Sequence, residues 1–382
     1  VLTLPPLALY IHIPWCVRKC PYCDFNSHAA SGALPEIAYT EALLRDLDGD
    51  LPRVWGRVVS SVFFGGGTPS LFSAFAIGAI LNGVRARLKL KPDAEITLET
   101  NPGTTEHDHF GGYLDAGVNR LSFGAQTFNA EQLTRLGRIH SVGDIERSVR
   151  LARGAGFSNY NIDLMYALPG QTLEQAVEDV DRAIALSPKH LSHYQLTLEA
   201  NTEFALHPPE NLPDPDCAFE IEAAAIARMA QSGFKRYEVS AYALPDFLSQ
   251  HNLNYWRFGD YLGIGAGAHG KITDLNAGTI TRTVKYKSPK SYLTHAATGR
   301  FLSEERVLDA AALPFEYMLN ALRLTSGFQL LDFERRTGLS RIEIKDTLAR
   351  AQADGLLELT AEGARPTVLG FNHQNALIAR FL

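Results

Sequence analysis

Three thiols stand close together near the start of the chain. The stretch "WCVRKCPYCDFNSH" (Trp15–His28) sets Cys16, Cys20 and Cys23 in a C-x3-C-x2-C array, and the fourth cysteine, Cys217, lies far downstream. Three thiolates fall one short of a closed tetrahedral zinc site, for which His12 or His28 would have to supply the last ligand. They also suit a [4Fe–4S] cluster. Such a cluster normally takes four thiolates, so three leave one iron open to a substrate or cofactor. Clustered cysteines in a chain of this kind favour a metal or redox site over a disulfide framework, and a reducing compartment, the cytoplasm, goes with that. A second chemical signal is "FFGGGTPS", where Gly65, Gly66 and Gly67 permit either a tight turn or a close approach of backbone to a ligand.

The elements that must position these residues come next. Apolar, β-rich runs occur at "LALYIHI" (Leu7–Ile13), "VVSSVFF" (58–64), "EITLET" (95–100), "NRLSF" (119–123), "YNIDLM" (160–165) and "HLSHYQLTL" (190–198). Helical patterns sit between them: "PEIAYTEALLRDLDGD", "AFAIGAILNGVRARL", "TEHDHFGGYLDAG", "VGDIERSVRLARGAG" and "LEQAVEDVDRAIALS". Repeated βα units with near-continuous apolar strands predict a parallel sheet covered by helices. Right-handed crossovers allow a barrel, a partial barrel or a doubly wound sheet. The candidate segments all follow strands: the cysteines the first, Gly65 to Ser70 the second, Asn101 the third, Gln126 the fourth and "LPGQ" (168–171) the fifth. In parallel α/β folds that is the rim where sites form.

Composition narrows the classes. The 382 residues are 46% hydrophobic and 20% charged, an ordinary globular balance, and the formal net charge is -6. No basic surplus points to nucleic acid. No run approaches the ~20 apolar residues that span a bilayer, and "VLTLPPLALYIHIPW" reads as the approach to a strand, not a signal peptide.

The C-x3-C-x2-C array after a first βα strand, joined to "FFGGGTPS", resembles the radical S-adenosylmethionine (SAM) proteins. The resemblance implies a [4Fe–4S] cluster on Cys16, Cys20 and Cys23, with SAM on the open iron and a 5′-deoxyadenosyl radical formed by its cleavage. Further stretches narrow it: "YIHIPWCVRKCPYCDFNSH", "LGRIH", "NIDLMYALPGQ", "HNLNYWRFGDYLGIGAGAHGK" and "PFEYMLNALRL" are similar to the oxygen-independent coproporphyrinogen oxidase group, most of all to its heme chaperone branch. By that resemblance Tyr10 lies beside the cluster and SAM, and Gly66, Gly67, Thr68, Glu99, Gln126, Arg138 and Asp163 hold SAM. Carboxylates suit ribose hydroxyls or an ammonium, and an Arg suits a carboxylate. Each, taken singly, is also an ordinary polar residue at a strand end.

The oxidase branch carries a further cysteine two residues after the third, where this chain has Phe25. It also has a longer segment ahead of its cluster. Both departures argue against decarboxylation of coproporphyrinogen III, and the resemblance then implies heme binding and delivery to acceptor proteins, with an electron donor for the cluster as a further partner. His251 in "HNLNYW" is the expected axial ligand, with Tyr255 and Trp256 packing on the porphyrin; a core histidine among aromatics is the alternative. His269 in "GIGAGAHG" is a weaker second, and that glycine run is expected to close the sheet or approach SAM. Ser249 and Ala266 stand where some relatives have cysteines, and Cys217 reads as a half-buried thiol. The expected architecture is α/β: a radical SAM partial (β/α)6 barrel over 1–240, a connecting aromatic and Gly-rich region with the heme site over 241–312, and a winged-helix-like module over 313–382. The module's mixed charges (Arg335, Arg336, Arg341 and Lys345 against Asp332, Glu334, Glu343 and Asp346) predict scaffold or partner docking, not DNA binding.

Overall fold

The computed structural model describes residues 1–103 and 110–382. The first residues of the expected helix "TEHDHFGGYLDAG" lie outside the described residues; its remainder forms a helix at Phe110–Ala116. Twelve strands among the described residues form one sheet: β1 (Leu7–Ile13), β2 (Val58–Gly66), β3 (Lys89–Thr100), β4 (Arg120–Gln126), β5 (Tyr160–Tyr166), β6 (His190–Gln195), β7 (Lys235–Glu238), β8 (Ala241–Ala243), β9 (Asp260–Ile264), β10 (His269–Asp274), β11 (Thr279–Lys285) and β12 (Leu302–Val307). Their order is β12-β11-β10-β9-β1-β2-β3-β4-β5-β6-β8-β7.

β1 to β6 are adjacent in chain order and all parallel, the six-unit βα array expected from the sequence. The apolar runs explain it. Leu7, Leu9, Ile11, Val62, Phe64, Leu98, Leu121, Phe123, Ile162 and Leu164 are all fully buried beneath the covering helices. Those helices start where the sequence supplies caps. Ser141 and Asp144 close a capping box at Val142–Gly154, and Thr172 and Gln175 close another at Leu173–Ala185.

The region after 240 differs from a connecting segment. β9 joins the free edge of β1 in parallel, with Leu7 opposite Asp260, and β10 to β12 extend the sheet antiparallel. The boundary expected at 240 therefore falls inside a continuous sheet. Two buried ionic networks anchor the extension. Asp260 accepts from Arg57 (2.7 Å), Lys271 Nζ (2.9 Å), and the Thr273 amide and hydroxyl (2.9 Å each). Lys285 Nζ donates to Asp46 (2.5 Å) and Asp50 (2.7 Å) on helix Glu36–Asp50, and Tyr292 also donates to Asp46 (2.7 Å).

The C-terminal module has its own core, built around Tyr317, Met318, Phe333, Ile344, Leu348 and Leu377. Helices Leu313–Ala321, Leu330–Thr337 and Ile342–Ala353 precede a hairpin of Leu357–Leu359 and Gly363–Pro366, and Phe328–Gln329 completes a three-stranded sheet. No helix among the described residues is long and apolar enough to cross a membrane.

Removing one member of a fully buried ionic network strands the others. Asp260→Ala should therefore cost about 3–5 kcal/mol in chemical denaturation, because Lys271 and Arg57 lose their shared carboxylate. A loss below about 1 kcal/mol, the level of an exposed pair, would contradict the anchoring role.

Candidate functional site

The cysteine loop leaves β1 at the carboxyl rim of the parallel strands. Its backbone forms little regular structure. Trp15–Cys16 pairs with His28–Ala29 as two-residue strands, and Cys23 N–H donates to the Cys20 carbonyl at 3.1 Å. Side chains from distant elements hold it. Thr68 donates to Cys16 Sγ (3.5 Å), Asn101 donates to Thr68 (2.6 Å), and Arg138 bridges from Asn101 (2.7 Å) to Cys20 Sγ (3.6 Å). That chain ties two of the thiols to the ends of β2 and β3 and to the segment after β4. On the other side Asn26 donates to the carbonyls of Ala266 and Lys287, both at 2.9 Å.

The glycines make this approach fit. A Cβ on Gly67 would lie 2.5 Å from the Trp15 carbonyl oxygen, and one on Gly66, whose φ is 116°, would strike the His12 ring. The "GIGAGAHG" run acts in the same way. Gly265 packs on the His12 backbone and Gly267 on Asn26, each with positive φ. The run thus closes the sheet against the cysteine loop, the first of the two roles expected for it.

One cavity gathers the predicted residues. Cys16, Cys20, Cys23, Gly66, Gly67, Thr68, Glu99, Gln126, Arg138 and Asp163 all line it. Tyr10 lines an adjoining cavity that shares Phe25, Gly66 and Glu99 with the first. Tyr22, Asn101, Ser122 and Tyr194 also face the first cavity. Of these, Tyr194 carries no signal in the sequence: it sits on β6 and donates to Gln126 at 2.6 Å, and nothing local marks it. Gln126 itself has φ of 70°, a left-handed backbone that costs a non-glycine residue of order 1–3 kcal/mol, and it ends β4 at an irregular register.

The electrostatics are those of a buried polar site. Glu99 accepts from the Gly66 amide at 3.2 Å, and its pKa is raised to about 8 by burial and then by the charge of Asp163. Burial also raises Asp163, against hydrogen bonds from Ser192, Asn161 and Ser122. Tyr10 is pushed well up by burial and donates toward His12 Nδ1 at 3.0 Å. Burial raises the thiols of Cys16 and Cys23, so these ligands carry protons until a metal displaces them.

The donor set discriminates between metals. A closed zinc site needs a fourth ligand, and both candidate histidines are turned elsewhere. His12 bonds Tyr10 and the Asn26 carbonyl, and His28 Nε2 meets Asn26 Oδ1. Three thiols lining one cavity with the Arg138 guanidinium and the Gly66–Gly67 backbone fit a thiolate-bound cluster beside a polar, zwitterionic ligand.

His251, the expected heme ligand, lies inside the protein beside β2. It is 1% exposed, its Nδ1 meets Ser61 Oγ (3.0 Å), its Nε2 meets Tyr255 Oη (3.1 Å), and its ring stacks on Phe63. Both ring nitrogens of His251 are thus engaged in this structure. Cys217 is half-buried at the start of helix Pro215–Gln231.

A parallel βα array with a three-cysteine loop after its first strand and a glycine turn after its second defines a radical SAM protein. Residues 10–183 match the Radical SAM superfamily, and residues 308–372 match the HemN C-terminal domain. The chain is 49% identical over 379 residues to the heme chaperone HemW of Escherichia coli, covering 99% of each. It is 47% identical to the HemW of Haemophilus influenzae, covering 99% of this chain and 98% of that one. Coproporphyrinogen III oxidase (HemN) from Escherichia coli superimposes with a TM-score of 0.83 at 26% identity, covering 99% of this chain and 90% of that chain. The chain belongs to the HemW family of the radical SAM superfamily, and the family implies a [4Fe–4S] cluster and SAM.

Glu99 supplies a test. An acid whose pKa rises on folding keeps a proton that the unfolded chain has lost, so the unliganded protein loses stability as pH climbs from 4.5 to about 8. A ligand ammonium beside Glu99 favours the carboxylate, so SAM binding at pH 7 should release a proton. Titration calorimetry should then give heats that vary with the ionisation enthalpy of the buffer. Buffer-independent heats would contradict a role for Glu99 at the ammonium.

Proposed function

We propose that this chain binds heme and delivers it to acceptor proteins, on a radical SAM scaffold that no longer oxidises coproporphyrinogen. Cys16, Cys20 and Cys23 hold the [4Fe–4S] cluster. Tyr10, Gly66, Gly67, Thr68, Glu99, Gln126, Arg138 and Asp163 form the SAM site. The cluster supplies a one-electron redox centre, with an electron donor as the matching partner, and the compartment is a reducing one such as the cytoplasm.

The chain's own residues set the conditions. Gly66 and Gly67 bring bare backbone to the cavity wall, and Glu99 offers a carboxyl that can lose its proton to meet a cation. Arg138 reaches Asn101 and Cys20 and keeps a buried Nε without a hydrogen-bond partner. Thr68 and Arg138 donate to sulfur, which stabilises thiolate character once metal binds.

The observation that carries the chaperone reading is the whole-length likeness to HemW, 49% identity against 26% for the oxidase. Phe25 supports it. The side chain is 61% exposed at the junction of the two cavities, where the oxidase pattern places a sulfur.

Anaerobically reconstituted protein should take up hemin and pass it to an apo-acceptor that binds heme more tightly. The same protein, given coproporphyrinogen III, SAM and a reductant, should form no protoporphyrinogen. Protoporphyrinogen formation would favour the oxidase reading and overturn this one.

A further inference from the structure

One face of β4, β5 and β6 brings Ser122 and Asp163 to the thiol-lined cavity, and the next residues along that face are polar too. Asn161 stands opposite Ser122 on one side and His190 on the other, and Asp163 stands opposite Ser192. The alternate residues Ile162, Leu164 and Leu191 are the apolar, fully buried ones. Branched apolar side chains usually fill the inside of a βα barrel. Here Asn161 and His190 take such positions at 2% and 1% exposure, so each of their polar atoms needs a partner.

The partners fall into one order. Asn161 Nδ2 donates to Asp163 Oδ1 (2.7 Å) and to Ser122 Oγ (2.8 Å), and Ser122 Oγ donates on to Asp163 Oδ2 (3.2 Å). Turned the other way, the amide would set its carbonyl oxygen against a carboxylate. Asn161 Oδ1 therefore faces away from Asp163 and accepts from His190 Nδ1 (2.7 Å) and Ser192 Oγ (3.2 Å). Burial and the charge of Arg120 keep His190 neutral, so its single ring proton sits on Nδ1 and Nε2 accepts. The Tyr237 hydroxyl donates to that Nε2 at 2.8 Å, and the Ser249 amide donates to the Tyr237 hydroxyl at 3.4 Å. From Ser249 to Asp163, every hydrogen bond runs in one direction and ends on the carboxylate.

We propose that Asn161 and His190 are positioning residues of the SAM site: His190 fixes the Asn161 amide, and Asn161, with Ser122, aims the Asp163 carboxylate into the cavity. The proposal rests on the reading of Asp163 as a residue that holds SAM, and it adds the side chains that act through it. Neither Asn161 nor His190 lines the cavity, so both act at one remove. A fully satisfied buried network is rigid. A carboxylate fixed before its ligand arrives spends no ordering free energy on binding.

The two imidazole nitrogens can be tested separately, because an Asn amide nitrogen falls near the place of Nδ1 and a Gln amide nitrogen near that of Nε2. The anaerobically reconstituted full chain is compared at matched cluster content, with SAM affinity read by equilibrium dialysis. His190→Asn keeps the donor toward Asn161 and should bind SAM within about twofold of wild type. His190→Gln keeps only the Tyr237 contact and should weaken SAM roughly tenfold, about one well-made hydrogen bond. A role in packing alone predicts the opposite order, because Asn leaves the larger cavity. Asn161→Leu, with the same branching and no donor, reads the link from its other end and should weaken SAM at least about tenfold. Equal losses for the two His190 variants, a larger loss for Asn than for Gln, or wild-type affinity in Asn161→Leu would overturn the assignment and leave the SAM site standing. Absence of SAM binding by the wild type would overturn the SAM-site reading and this assignment with it.

Discussion

The loop from Trp15 to His28 must hold three thiols at fixed spacing, yet it has almost no core of its own. Trp15 and Cys16 are buried, and most of the segment after them is not. Its order therefore comes from two tethers. The Thr68–Asn101–Arg138 chain grips it from the parallel strands, and Asn26 grips Ala266 and Lys287 from the other side. Each tether depends on chain segments far from the loop in sequence. The position of β9 beside β1 brings the second set of partners into range, and the glycines at 265 and 267 let them come close enough.

That placement of β9 is itself held by charge inside the protein. Lys271 and Lys285 are among the largest fully buried side chains, an unusual fate for lysine. Each is satisfied by carboxylates from other elements, Asp260 for one and Asp46 with Asp50 for the other. Such networks add little net stability over an apolar core, but they tolerate few alternative registers. Here they fix the antiparallel extension to β1, β2 and the first helix. They thereby fix the carbonyls that Asn26 reads.

Much of the site is legible in the sequence because its residues follow strand ends, and strand ends are marked by local composition. The cysteine array, the glycine turn and Gln126 follow strands along the chain, whereas Glu99, Arg138 and Asp163 are legible only through the resemblance to radical SAM proteins; all line one cavity. What escapes is nonlocal. β9 reads as part of a connecting region because its partner β1 lies about 250 residues earlier, and the short strands β9 to β12 among glycines carry weak periodicity. His251 reads as a ligand by residue type and aromatic company. Its partner Ser61 comes from another strand, so that buried contact is not legible in "HNLNYW". His12 and His28 pose the same question for zinc, and again only the distant arrangement around Asn26 answers it.

The central claim is that three thiolates on this loop hold a cluster with one iron left for SAM. The most direct measurement is the electron paramagnetic resonance spectrum of the dithionite-reduced, reconstituted protein before and after SAM is added. An open iron that takes SAM predicts a clear change in g-values on addition, because the ligand field of the cluster changes. Unchanged g-values with a fully loaded cluster would mean that the fourth iron is already closed, and would contradict the account.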